Sequence, residues 1–145
     1  MKNGFAVVLI SALLGTAFTA EARDDRQRYS VRDAMERADI QDKLNGVKLY
    51  FGDANYPAVA EKYGEFQSNK KTNAFNKTDK ESCQWAFLSA VIALQERAVA
   101  EGGNAVINAT SNYKNQPYSS QTEFECGAGK FIAGATLKGQ VVKLK

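Results

Sequence analysis

Thr78-Asp79-Lys80-Glu81 is the feature that most narrows what this chain can fold into. A threonine followed three residues later by glutamate, just ahead of an apolar run, is a helix-starting capping box. The hydroxyl accepts the Glu81 amide and the Glu81 carboxylate can reach back. Gly102-Gly103 supplies a left-handed stop. Between them the pattern predicts a helix of about six turns, Asp79 to Glu101. At about 100° per residue its apolar residues fall into two stripes. Cys83, Phe87, Ala90, Val91, Leu94 and Ala98 make the first, centred about 40° from Cys83. Trp85, Leu88, Ile92 and Val99 make the second, between about 140° and 200°. Gln84 and Gln95 separate the stripes on one side, Ser89 and Glu96 on the other. Such a helix must be covered twice. A sheet can take the first stripe; the second needs another helix, a loop or a partner subunit. Left in water, a band containing a Trp is an interaction surface, so Trp85, Leu88, Ile92 and Val99 are a candidate interface.

The segment before it offers a cover. Ser30 can cap a helix from Val31 to Ala38, with Asp33 at its third position and Val31, Ala34, Met35 and Ala38 on one face. Ile40 and Leu44 continue it, and Asn45-Gly46 stops it. The remainder reads as strands. Val47 to Phe51 is short and β-rich. Tyr63 to Phe75 holds one extended strand, and Asn104 to Asn112 follows the long helix. Thr122, Phe124 and Cys126 alternate with Glu123 and Glu125, which places both glutamates on the solvent side. Tyr113 to Gln121 is a polar hairpin loop. Phe131 to Leu144 is apolar, with Gly134 and Gly139 as bend points. The expected class is α+β: a mainly antiparallel sheet packed on one long helix, with a shorter N-terminal helix.

The N-terminus addresses a compartment. Lys2 precedes the uncharged run Phe5 to Leu14, and Ala20-Glu21-Ala22 is an A-x-A cleavage pattern. Residues 1–22 therefore read as a secretory signal peptide, cut after Ala22, and 23–145 as a single α+β domain. The apolar run is shorter than the roughly 20 residues that span a bilayer. The mature chain is expected in a periplasm or outside the cell, with no membrane anchor after cleavage. In that setting Cys83, on the first stripe, and Cys126, on the inward strand face, are most simply a structural disulfide. A two-thiolate soft-metal site or a redox pair is the alternative, although no further soft ligand and no C-x-x-C is at hand.

The 145 residues contain no histidine, which removes His-based triads and His-containing zinc sites. With no matched acid–base pair either, the chain reads as a non-enzyme needing no cofactor or metal. Charge is uneven. Residues 66–80 hold four lysines against Asp79, net +3, and 126–145 hold four lysines and no acid, net +4. Lys70, Lys71 and Lys77, just before the long helix, are a candidate anion or partner contact; the plainer reading is a polar loop with Phe75 tucked beneath it. Gly127-Ala128-Gly129-Lys130 superficially looks like a phosphate loop. Phe124 and Phe131 stand where that motif needs its first glycine and its hydroxyl, so no ATP is expected, and the small residues instead allow close backbone packing. Nothing interleaves basic and aromatic residues in an RNA-binding manner.

VKLYFG (47–52), NKKTNAFNKTDKESCQWAFLSAVIALQERA (69–98), GGNAVIN (102–108), the segment from Ser119-Ser120 to Cys126 and AGATLKGQVVKL (133–144) together carry a resemblance. The chain resembles small secreted bacterial proteins often labelled "excinuclease ATPase subunit", over nearly all of its mature length. The label conflicts with the residues, which lack the nucleotide loop, zinc modules and size of an excision-repair ATPase. The resemblance brings no activity and no ligand with it. Such proteins often show His-Ala-Gly after the second cysteine, where this chain has Gly127-Ala128-Gly129. A more distant likeness, the helix followed by Gly-Gly-Asn-Ala-Val-Ile and strands, is to the fold of the Rcs-pathway envelope sensor lipoprotein and of small domains labelled heavy-metal-binding. Three functions follow as expectations. The first is a non-catalytic envelope-associated module that binds an envelope protein or itself. The second is a small-ligand or heavy-metal-binding domain. The third, which the leader and the disulfide disfavour, is a nucleic-acid-related protein as the label implies.

Overall fold

The computed structural model describes residues 23–145; the signal-peptide reading of 1–22 lies outside them. The elements are β1 (Asp25–Ser30), α1 (Val31–Met35), β2 (Lys48–Phe51), β3 (Val59–Asn73), α2 (Asp79–Glu101), β4 (Ala105–Ser111), β5 (Glu123–Ala128) and β6 (Ile132–Leu144). Short 3₁₀ turns cover Ala38–Lys43 and Tyr113–Asn115.

The caps act as the sequence implies. The Thr78 hydroxyl accepts the Glu81 amide at 3.1 Å, and Gly102 closes α2 at φ 87°. Behind that glycine, Gly103 lets the chain turn straight into β4: a Cβ there would sit 2.7 Å from Val141 Cγ1. The N-terminal helix is shorter than its pattern suggested. Ser30 caps α1 through the Asp33 amide, but α1 ends at Met35 and the chain continues as a 3₁₀ turn.

β6 is the axis of the sheet. β3 runs antiparallel along one edge of it, from Asn73 opposite Ile132 to Val59 opposite Leu144. Its other edge takes β5 at Ala133 and Gly134, then β4 from Leu137 to Val142, both antiparallel. Because two strands leave one edge in succession, the sheet curls there. β1 pairs antiparallel with β5, and β2 pairs parallel with β4. The sheet is thus mostly antiparallel but mixed. The parallel step follows from connectivity, since the chain from β2 to its neighbour β4 passes through β3 and α2, a crossover long enough to return it in the same direction.

α2 lies on this sheet by its first stripe. Cys83, Phe87, Ala90, Val91, Leu94 and Ala98 are all buried, and Phe87 stacks on Phe124 of β5 with ring centroids 4.0 Å apart. The two-stripe picture needs correcting. Gln84 and Gln95, expected as polar separators, are themselves buried. Gln95 donates to the Val47 carbonyl at 2.8 Å, and Gln84 accepts from Arg37 at 3.0 Å. Partnered glutamines can be buried at little cost. They merge the first stripe with Leu88 into one broad buried arc and fasten residues 37–47 along α2.

Candidate functional site

Cys83 and Cys126 form a disulfide between α2 and β5, with Cα atoms 5.7 Å apart and both residues fully buried. Neither sulfur is free to ligate a metal while the bond stands. Among the described residues no group of three or more Cys, Asp or Glu is placed to hold a metal ion.

The outer face of β5 is closed, which overturns the solvent-side reading of Glu125. β1, which sequence reading missed, brings Arg26 and Arg28 over it. Arg26 donates to Glu125 at 2.9 Å and Arg28 at 3.4 Å, and Glu125 keeps only 6% of its surface. Each guanidinium also lies on an aromatic ring, Arg26 on Tyr113 and Arg28 on Tyr118. Tyr113 donates to Asp24 at 2.6 Å, and Lys114 pairs with the same carboxylate. Burial first, and this hydrogen bond second, push the Tyr113 phenol up to about 12. Gly127 exists for this ring: a Cβ at that position would overlap Tyr113. The glycines ahead of Lys130 therefore serve close packing, Gly127 under the Tyr113 ring and Gly129 against the Ile132 and Arg23 carbonyls.

The second stripe is covered unevenly. Leu88 is fully buried, and Trp85 and Ile92 are half-buried. Val99 is 59% exposed. Cover over Trp85 comes from charged side chains of the preceding segment, with Arg37 and Lys43 standing 4.9 and 5.3 Å from the ring centroid. Ala38, expected to dock, is exposed. Trp85, Leu88, Ile92 and Val99 thus form no continuous open patch.

Lys70, Lys71 and Lys77 are all exposed at the end of the sheet where β3 leads into α2. Lys70 and Lys71 are successive strand residues and point to opposite faces, so the three do not converge on one anion. The first turn of α2 carries its own carboxylate, Asp79, held by Arg23 and by Gln27 at 2.7 Å. Those bonds keep Asp79 well below the usual carboxylate range.

That same end presents the feature sequence reading missed. The Ala74 amide donates to the Phe131 carbonyl at 2.8 Å, extending the β3–β6 ladder by one step. Asn73 then turns the chain by accepting the Phe75 amide at 2.9 Å, and the Gly129 amide donates to the Ile132 carbonyl at 3.0 Å, closing a tight β5–β6 turn. The two turns lie side by side. They hold Phe75 and Phe131 outward as a stacked pair, centroids 5.8 Å apart and planes within 14°. Phe75 is 52% exposed, Phe131 57% and Ile132 56%. Phe75 is not tucked under its loop. Lys130 stands 5.5 Å from the Phe131 centroid, and Lys77 follows Phe75 by two residues. Among the described residues neither lysine makes an ion pair. The pairing of β3 with β6 has brought the two basic stretches of the sequence to one aromatic tip.

Two hollows lie elsewhere. A groove of about 680 Å³ runs between α1 and β2 over Val31, Met35, Val47, Leu49 and Phe51. A cleft of about 310 Å³ separates β3 from α2 at Phe66, Ser68, Lys70 and Arg97. No helix of the described residues is long and apolar enough to cross a membrane. No protein-family model, no curated protein and no solved structure matches this chain.

Proposed function

We propose that this protein is an exported, disulfide-stapled, non-catalytic module that works by binding at its aromatic tip. The observation that carries the reading is the exposure of Phe75, Phe131 and Ile132 side by side. Large apolar side chains clustered and more than half exposed mark a contact surface, whereas scattered ones need no explanation. A disulfide between two fully buried cysteines agrees with an oxidising compartment, a periplasm or the cell exterior. The resemblance to small secreted bacterial proteins points the same way.

The titratable groups support the non-catalytic part. Where folding shifts them, it deepens their ordinary state: Asp24, Asp39 and Asp79 go down, and Tyr29, Tyr63 and Tyr113 go up. A general acid or base needs the opposite, a value drawn toward neutrality. The test passes an envelope extract, soluble and membrane fractions together, over immobilised protein and over a Phe75→Ser/Phe131→Ser variant. Material retained by the first and lost from the second is the expected result; identical retention contradicts the reading. Small-ligand binding is the second reading, favoured by the apolar floor of the groove between α1 and β2.

A further inference from the structure

We infer that the partner of the aromatic tip is an anionic phospholipid surface; this rests on the tip being the binding surface. Phe75, Phe131 and Ile132 would enter the headgroup region while lysines around them meet the phosphates. Three properties select lipid. The first is shape. The three side chains stand at the joint end of two tight turns, and the groove and the cleft described above are lined by other residues. A projecting apolar tip suits a deformable surface, while a peptide calls for a groove.

The second is charge. Lys77 and Lys130, each within two residues of an exposed Phe ring, are both exposed, and the exposed Lys70, Lys71 and Lys80 stand further back along β3 and α2. The carboxylates at that end are paired, Asp25 and Asp79 with Arg23 and Asp24 with Lys114. Lysines on flexible stems can keep their ammonium groups at the phosphate level while the tip sits deeper. Near an anionic leaflet each contributes about 1 kcal/mol, about fivefold in partitioning.

The third is the state of the rings. Phe75 and Phe131 already stack on each other and Lys130 lies against Phe131, so few ring faces are left for a nucleic-acid base. The exposed edges and the neighbouring Ile132 need only apolar surroundings.

Exported protein purified from cells is mixed with phosphatidylglycerol–phosphatidylcholine vesicles or with pure phosphatidylcholine vesicles, and co-flotation is measured against ionic strength. The expected result is binding to the anionic vesicles alone, weakening as salt rises. Lys77→Gln/Lys130→Gln should lower partitioning about 25-fold, two factors of about five. Phe75→Ser/Phe131→Ser should lower it at least about tenfold, with an unchanged melting temperature because these side chains are exposed. Equal binding to both vesicle types, no binding to either, or unchanged binding by the variants overturns the inference. So does tighter binding of a single-stranded oligonucleotide than of anionic vesicles. If vesicles are ignored but detergent-solubilised envelope extract still distinguishes wild type from Phe75→Ser/Phe131→Ser, the lipid assignment falls and the binding-module reading stands. If neither distinguishes them, both fall.

Discussion

Breaking the disulfide tests how this small core is held. Cys83 and Cys126 are 43 residues apart, and linking them restricts the unfolded chain by about 4 kcal/mol in the chain-entropy account. Both residues are fully buried between α2 and β5. Replacing each sulfur with hydrogen therefore removes a further roughly 1 kcal/mol of packing per site, by comparison with a buried methylene. Reduction alone should cost about 4 kcal/mol, and Cys83→Ala/Cys126→Ala about 6. A domain of this size has about 5–15 kcal/mol in all. The assay is urea unfolding followed by circular dichroism and by the fluorescence of Trp85, the sole tryptophan, with and without a phosphine reductant. With a slope of about 2 kcal/mol/M, the reduced protein should unfold about 2 M earlier. A midpoint shift under about 0.5 M at unchanged slope would refute the view that this bond is a principal restraint.

Four further outcomes follow from particular contacts. Leu88→Ala should destabilise by about 2–5 kcal/mol and Val99→Ala by under about 0.5, because one is fully buried and the other mostly exposed; matched thermal melts check this, and equal effects would contradict it. Gly127→Ala should cost about 1–3 kcal/mol by driving a Cβ into the Tyr113 ring. A double-mutant cycle with Tyr113→Ala should recover most of that loss. Tyr113 holds its proton to about 12 when folded, against 10.0 unfolded, so its contribution is complete below pH 10 and is lost as pH rises toward 12. Tyrosinate difference absorbance should lose its highest-pH step in Tyr113→Phe. ATP should show no saturable binding, and Lys130→Ala should change nothing in a calorimetric titration, since Gly127 is packed under Tyr113 and Gly129 against backbone carbonyls.

What could be read from sequence was local, and what could not depended on pairing. The ends of α2 were legible because a cap is written within four residues on either side. So was the disulfide, whose cysteines sit on apolar faces of elements that sequence can place. β1 was invisible: Asp-Arg-Gln-Arg-Tyr-Ser has no apolar alternation, and its arginines make sense only opposite Glu125, almost a hundred residues on. For the same reason alternation misplaced Glu125, since arginines of the neighbouring strand that sequence did not show, backed by Tyr113 and Tyr118, lie over it. The buried glutamines of α2 looked like breaks between stripes because their partners, Arg37 and the Val47 carbonyl, lie on a distant segment. At the tip the charges were legible and the geometry was not. Phe75 and Phe131 meet only through the β3–β6 register.

We read this chain as an exported protein working in an oxidising compartment. Intact mass spectrometry of the native protein from its own cells, with thiols blocked at lysis, tests it most directly. The expected chain begins at Arg23, is two hydrogens lighter than its reduced form and is unlabelled at both cysteines. A chain that begins at Met1 and carries blocking groups on Cys83 and Cys126 would contradict it.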